Sequence, residues 1–456
     1  MRDLAYDLVE NVTKTKYDDL PKDTVETTKK FVLDTLATTI AGSIGYGCKT
    51  VVEQIKDWGG KKESTILVYS GKVPSPNAAF ANSMMAHALD FDDTHDKAAL
   101  HANVSVIPAT LAMAERRGNV NGKDFITAVA VGVDLLCRIG LGKLPGPLTW
   151  ILTSTAGYFG ATAAASKILG LDEGKLLHAL GNAYSQCAGN SQCIVDGGLV
   201  KRIQPAFAAK GGVISSLLAQ GGITGAKNIF EGQFGFFPLY YGGQYSREKV
   251  IEELGKVFEI TNLSIKPYPC CRYTHGDIDA ALSIVEGNDI RPDDVAEVVA
   301  HVTEAAYTVV GKPFEIRESP QVDAQFSVPY TVAVAIVRRD ISIDDFFEEK
   351  IRTSTQVLQL AKKVRVVVDQ EPIDMGHAPC VVDIKTKDGK TYSRRVEILR
   401  GDPREPLSME EVAQKFRKCA AFSAKPISEE NIEEIIRAVN NLENVTNVAS
   451  VFGLAA

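Results

Sequence analysis

Several things are scarce in this sequence, and each scarcity removes a class of function. Cysteine is sparse, eight in 456 residues, too few to staple a chain of this length with disulfides. No C-x-x-C pair occurs, and Cys270 and Cys271 are adjacent, so zinc and iron–sulfur spacings are both missing. There is no H-x-H or H-E-x-x-H pattern and no glycine-rich phosphate loop. No uncharged apolar run approaches the roughly 18–20 residues of a membrane span. The N-terminus, M-R-D-L-A-Y-D-L-V-E-N-V, carries acids inside its apolar pattern and no cleavage site, unlike a signal peptide. Basic charge is also short: 50 Lys and Arg against 57 Asp and Glu give a net charge of −7, with no Lys/Arg stripe interleaved with aromatics. The expectation is a cytoplasmic protein with reduced thiols, no metal, no cofactor, and neither nucleic acid nor membrane as a partner.

What is present reads as an ordinary globular enzyme, with 45% hydrophobic and 23% charged residues. The length exceeds the ~250–300 residues at which one core stops growing, so two domains are expected. Residues 1–45 look helical, with Val25, Phe31, Val32, Leu36 and Ile40 tracing a 3.6-residue period and glycines from Gly42 onward ending it. Further helices are expected at 74–89, 105–118, 124–142, 150–170, 177–193 and 206–221, and no strand alternation precedes residue 255. The stretch 124–142 is apolar nearly all round, as in a helix at the centre of a bundle.

The texture changes after Lys266-Pro267-Tyr268-Pro269. Strands are expected at 295–302, 364–368 and 380–384, the last turning on Asp388-Gly389 into 391–396. Helices fit at 275–286 and 323–338. From Ser408 the chain is helical again, with Ser408 and Glu411 spaced as a capping box. The fold class is therefore mainly α: a large all-α domain of residues 1–266 plus 403–456, with a smaller α+β lid domain, 267–402, inserted.

Chemistry concentrates between Met85 and Thr110, M-A-H-A-L-D-F-D-D-T-H-D-K-A-A-L-H-A-N-V-S-V-I-P-A-T. Asp90, Asp92, Asp93, Asp96, His87, His95 and His101 fall there, between two small-residue helical patterns. A polar loop held by buried helices is a common mounting for a site. Solvating and capping a helix junction is the plainer use of such aspartates.

Five ordered blocks carry a resemblance: L-D-T-L-A-T-T-I-A-G at 33–42, H-A-L-D-F-D-D-T at 87–94, K-P-Y-P-C-C-R-Y-T-H at 266–275, Q-F-S-V-P-Y at 325–330 and G-D-P-R-E-P-L-S-M-E-E-V-A-Q-K-F at 401–416. Together they resemble the MmgE/PrpD family, which includes 2-methylcitrate dehydratases, cis-aconitate decarboxylases and iminodisuccinate epimerases. The resemblance implies a helical domain with an inserted lid, a homodimer, and cofactor-free chemistry beside a carboxylate on a small polycarboxylic acid. The 266–275 block looks more like the decarboxylase and epimerase branches. The resemblance also places Asp90, Thr94, His101, Lys201, Lys266 and Tyr330 in the pocket.

On chemical grounds His101 is the best proton carrier, since a free imidazole titrates near pH 6.5. Lys201 and Lys266 suit carboxylates as compact ammonium clamps, with Arg202 and Arg272 as further clamps. Asp90 orients a histidine or lysine, whereas capping a helix fits Asp92 or Asp93 better. Thr94 and Tyr330 offer hydroxyl donors. His275 closes its block as a contact to substrate or a prop for the lid, and Cys270 and Cys271 read as packing. Two positions depart from the family pattern. Thr153, in W-I-L-T-S-T, stands where relatives often carry the histidine of G-F-H-x-T, and Gln204 stands where K-R-L-H-P-G-like segments have another. The leading reading is a lyase, with an isomerase as the variant. The rivals are a carboxylate-binding protein that has lost turnover and a metal hydrolase built on Asp90, Asp92, Asp93, His95 and His101.

Overall fold

The computed structural model describes residues 2–146, 149–369 and 380–456. They form two compact units: Met1–Leu263 with Ser408–Ala456, and Ser264–Leu407. Helix dominates, as the periodicity predicts.

In the first unit the chain runs through α1 (Leu4–Lys14), α2 (Lys22–Gly42), α3 (Cys48–Trp58), α4 (Ser75–His87), α5 (Asn103–Arg117) and α6 (Gly122–Gly142). Then come α7 (Leu152–Thr155), α8 (Gly157–Leu169), α9 (Glu173–Tyr184), α10 (Gln192–Val195) and α11 (Val200–Gln220), with short α12 (Phe236–Tyr241) and α13 (Arg247–Ile251) behind. The core is the mutual packing of α4, α5, α6, α8 and α11. Small residues make it possible. A Cβ on Gly132 of α6 would meet the Gly160 carbonyl of α8 at 2.9 Å, and a Cβ on Gly160 would meet the Gly132 carbonyl at 2.8 Å, so the two backbones touch only because both side chains are hydrogen. Helix α6 is long and apolar enough to cross a bilayer, but 94% of its apolar window is buried inside the protein.

Three expectations need correction here. The stretch 150–170 is two helices meeting at Ala156, and 177–193 stops at Tyr184 before a loop and a single turn. Helix α11 begins at Val200, ahead of Pro205, which lies inside it. The unit also contains strand: β1 (Ser64–Thr65) pairs with β2 (Lys72–Val73) as a two-residue antiparallel ribbon, too short to show alternation.

The second unit is built on α14 (His275–Asn288), β3 (Val295–Val302), α15 (Glu304–Val310), α16 (Pro320–Gln325), α17 (Val328–Arg338), α18 (Glu348–Thr353), α19 (Thr355–Ala361), β4 (Val364–Val368), β5 (Cys380–Thr386) and β6 (Thr391–Val396). The sheet order is β4-β3-β5-β6, with β3 and β4 parallel and the other pairs antiparallel. Val298, Ala300 and Val302 alternate inward along β3 and join a core with Ile278, Ile284, Val332 and Ile336 from α14 and α17. The expected helix at 323–338 is two, because Pro329 near the start of α17 lacks the N–H that an unbroken helix needs.

The tail helix Met409–Ala420 starts on the expected box: the Glu411 carboxylate accepts from the Ser408 N–H at 2.8 Å, and Ser408 Oγ accepts from the Glu411 N–H at 3.2 Å. It packs against α2.

Candidate active site

The aspartate loop leaves α4 at its last residue, His87, and enters α5 at Asn103. Asp90 turns the chain in the left-handed region, φ 54°, which aspartate tolerates better than most side chains. His95 then pairs with Leu100 in a short bridge, the His95 N–H donating to the Leu100 carbonyl at 2.8 Å. The Asp93 carboxylate accepts from the N–H groups of Ala102 and Asn103 at 3.0 and 3.1 Å. Those are orphan donors at the start of α5, so Asp93 serves as its cap. Burial and the neighbouring charge of Asp92 push the Asp93 carboxyl up to about 7.

Asp92 is not a cap. Its Oδ2 lies 2.9 Å from His87 Nδ1 and 3.0 Å from His101 Nδ1, bridging two imidazoles whose rings meet edge-on at 5.0 Å. On the far side of His87, Nε2 lies 3.1 Å from Lys201 Nζ, which also donates to Asp90 Oδ1 at 2.9 Å. An ammonium only donates, so His87 Nε2 accepts and its Nδ1–H points at Asp92. Burial pushes the His87 imidazole down to about 4, with Asp92 opposing and Lys201 assisting. It is neutral at pH 7. Burial resists ionisation of Asp92, but the two imidazoles hold its carboxyl well below the usual range.

His101 is oriented by the same carboxylate. Its Nδ1 faces two acceptors, Asp92 Oδ2 and the Asp93 carbonyl at 2.6 Å, so that nitrogen carries the proton and Nε2 carries the lone pair. Its backbone N–H donates to Thr153 Oγ1 at 3.0 Å, and its side chain keeps 20% of its surface exposed. The result is a solvent-reaching base, a carboxylate behind it, and an ammonium within the same group. A cavity of about 410 Å³ in the same unit is lined by Ser154, Tyr158, Asn190, Cys193, Gln204 and Phe207 among others, but by none of His87, Asp90, Asp92, His101 or Lys201. Gln204 donates to the Asn190 carbonyl and to Cys193 Sγ at 3.0 and 2.9 Å, a static polar wall where an imidazole would titrate.

Of the expected residues, the structure assembles His101, Lys201, Asp90 and Thr153 in the first unit. Arg202 is buried beside them and feels the charge of Asp90, while burial pushes its own pKa down. Thr94 is buried in the loop. In the second unit, Lys266 is 1% exposed. Arg272 donates to the Arg400 carbonyl at 3.0 Å. Two expected residues are engaged within the second unit. Tyr330 lies in the apolar core between Phe314 and Phe346 and donates to the Asp345 carbonyl at 2.6 Å. His275 is fully buried, with Nε2 3.3 Å from the Cys270 carbonyl and its ring edge-on to Tyr268; it braces its own block. Sequence reasoning gave His87 no role and assigned Asp92 to capping or to the rival metal set. The signal for them was a histidine ending a small-residue helix just ahead of the acid run.

The metal-hydrolase set does not converge. His95 faces Glu259 at 3.2 Å, Asp93 caps α5 and Asp90 holds Lys201. Among the described residues His87, Asp92 and His101 do place ligand-type atoms within 4.8 Å of one another. Their spacing is that of hydrogen bonds, and a lysine ammonium occupies the other side of His87.

Comparison with known proteins decides the lineage. A family model for the MmgE/PrpD N-terminal domain matches residues 6–248, and one for the MmgE/PrpD C-terminal domain matches 268–441. The chain belongs to the MmgE/PrpD family. Relatives that span almost all of it include the cis-aconitate decarboxylase-like protein oryM of Aspergillus oryzae, 29% identical over 97% of this chain and 95% of the relative. The cis-aconitate decarboxylase of Aspergillus terreus is 28% identical over 94% and 91%, and that of Homo sapiens 28% over 92% and 88%. Within this MmgE/PrpD chain, the Asp92-bridged histidines and Lys201 all lie in the stretch matched by the N-terminal model.

Proposed function

We propose that the protein is a cofactor-independent lyase acting beside a carboxylate of a small di- or tricarboxylic acid, with a cis-aconitate-like substrate the first to test. The observation that carries this is the Asp92–His101 pair, a carboxylate fixing one nitrogen of a partly exposed imidazole, in one group with the Lys201 ammonium. Decarboxylation breaks the carbon–carboxylate bond, leaves the electron pair conjugated with a remaining carboxylate, and takes up one proton on carbon. Lys201 balances the developing charge. The lone pair on His101 Nε2 first takes a proton from solvent and then delivers it to carbon, and the Asp92 carboxylate stabilises the imidazolium formed in between. Dehydration and epimerisation use the same base in the opposite direction, removing a proton from carbon.

Lys266 and Arg272 remain proposed carboxylate contacts on the family resemblance. The names of the relatives favour the decarboxylase over the dehydratase or epimerase. A homodimer is also proposed. Apolar side chains at Val195, Phe234 and Leu239 are 76%, 75% and 63% exposed, and light scattering tests whether a second copy associates with the chain.

Proton NMR of the pure protein with cis-aconitate, 2-methylcitrate, citrate and iminodisuccinate in deuterated buffer reads all three reactions together. Loss of carbon dioxide from cis-aconitate is expected, unaffected by prior EDTA dialysis. Silence toward all four would favour a binding protein without turnover, and activity restored by one divalent ion after dialysis would favour a metal enzyme.

A further inference from the structure

Lys415, in the tail helix Met409–Ala420, lies more than 300 residues from the aspartate loop in sequence and reaches it in space. Its side chain is 6% exposed and its ammonium pairs with Asp34 of α2 at 2.6 Å, a carboxylate with no exposed surface. The same Nζ donates to the backbone carbonyl of Phe91 at 2.8 Å and sits 3.8 Å from the centre of the Phe91 ring. Two well-packed apolar side chains would fill this place at no greater free energy, since a buried ion pair barely offsets its own desolvation. What apolar residues cannot do is hold a carbonyl.

That carbonyl belongs to the peptide joining Phe91 to Asp92. One residue earlier, Asp90 is in the left-handed region, so the chain turns sharply into this peptide and its orientation needs an external hold. One residue later, the Asp92 carboxylate must reach His87 and His101 together, at 2.9 and 3.0 Å. Rotation of the Phe91–Asp92 peptide would swing Asp92 away from one imidazole or both. At the other end of the loop, His95 is held differently: Glu259 accepts from its ring, the Glu259 N–H donates to Asp134 Oδ1, and Arg138 donates to Asp134 Oδ2.

We infer that Lys415 is a positioning residue for the reaction: through the Phe91 carbonyl it sets the aim of Asp92, and through Asp92 that of the His101 imidazole. This rests on His101 being the proton carrier proposed above. Lys415→Met alone takes from the buried Asp34 the ammonium it pairs with, so loss of folding is an expected complication. The informative protein is therefore the double variant Asp34→Asn with Lys415→Met, which removes both charges and leaves the packing. Its thermal midpoint should lie near that of the wild type, its kcat should fall about 10- to 100-fold, the range for displaced catalytic groups, and its KM should stay within about threefold. Adding His101→Gln to it should lower kcat no further than His101→Gln alone. Wild-type kcat in the stable double variant, a loss confined to KM, or losses that multiply with that of His101→Gln would each overturn the inference. If His101→Gln itself leaves kcat unchanged, the reading of the site fails instead, and the two failures are told apart.

Discussion

Two stretches of this chain are dense in chemistry-bearing residues, and the structure uses them differently. In 85–103 the polar side chains converge: Asp92 joins two imidazoles, Lys201 arrives from α11, and one imidazole reaches solvent. In 266–275 several of them bond to groups in and near their own segment of the second unit. Tyr268 donates to Asp279 at 2.8 Å, Cys270 meets Thr274 at 3.2 Å, His275 faces the Cys270 carbonyl and Arg272 the Arg400 carbonyl. Density of titratable residues therefore does not by itself mark a reacting centre. What marks it is a titratable group left partly exposed after its neighbours have fixed its orientation.

The sharpest test of that contrast is His101→Gln, which removes the imidazole lone pair and keeps a polar side chain. A fall in kcat of roughly 10²–10⁴-fold is expected, the scale of general acid–base catalysis, with KM little changed. Lys201→Met belongs beside it. A lysine gripping a carboxylate equally in ground and transition states raises KM, whereas one balancing charge that develops in the reaction lowers kcat. Near-wild-type turnover in a folded His101→Gln protein would dissolve the contrast altogether.

His87 sharpens it through stability. Its folded pKa of about 4 lies below the ~6.5 of a free imidazole. Above pH 6.5 neither state binds the proton and the group contributes no pH dependence. Between 6.5 and 4 the unfolded chain takes up a proton that the folded protein refuses, so stability falls as pH falls. The full penalty is about 3 kcal/mol, reached below pH 4. Denaturant titrations of wild type and His87→Gln at pH 7, 5.5 and 4.5 should converge as pH falls, because only the wild type bears this penalty. Parallel curves would mean that His87 is not buried and neutral.

Thr153 stands between the two regimes, since it reacts with nothing yet holds the His101 backbone. Thr153→Ser should behave as wild type. Thr153→Val leaves a buried N–H without its acceptor, a cost of about 1–3 kcal/mol, and should lower kcat about tenfold or less. Thr153→His restores the imidazole of the family pattern but removes this acceptor. Improved turnover of cis-aconitate or 2-methylcitrate by that variant would show that the imidazole outweighs the lost hold.

Much of this was legible in the residues. The helix periods, the strands at 295–302 and 364–368, the Asp-Gly hairpin and the Ser408 capping box are local signals, and the structure contains them. The breaks at Ala156 and before Pro329 were missed, because alanine-rich texture hides a helix boundary and a proline is compatible with either side of one. In the site, His101 and Lys201 followed from chemistry and resemblance. Asp92 was assigned to capping because acids beside a helix start usually cap, and only the fold shows that Asp93 alone takes that place. Lys415 was invisible for the opposite reason. A lysine on an amphipathic helix reads as solvated until the tail packs against α2.

The smallest effect on turnover is expected in the second region, from Tyr330→Phe. The phenol is buried and donates to the Asp345 carbonyl at 2.6 Å, and burial pushes its pKa far above the ordinary value. Such a group neither titrates nor turns toward a substrate without leaving its core. Removing the hydroxyl deletes one buried hydrogen bond, about 1 kcal/mol of stability, while Phe314 and Phe346 continue to pack on an unchanged ring. The thermal midpoint should drop by a few degrees at most and kcat should stay within twofold. Tyr330→Phe can be read cleanly because it alters no charge and almost no volume. A tenfold loss of kcat with the fold intact would return this hydroxyl to the reaction, and would mean that residues packed into the core of the second unit take part in the chemistry after all.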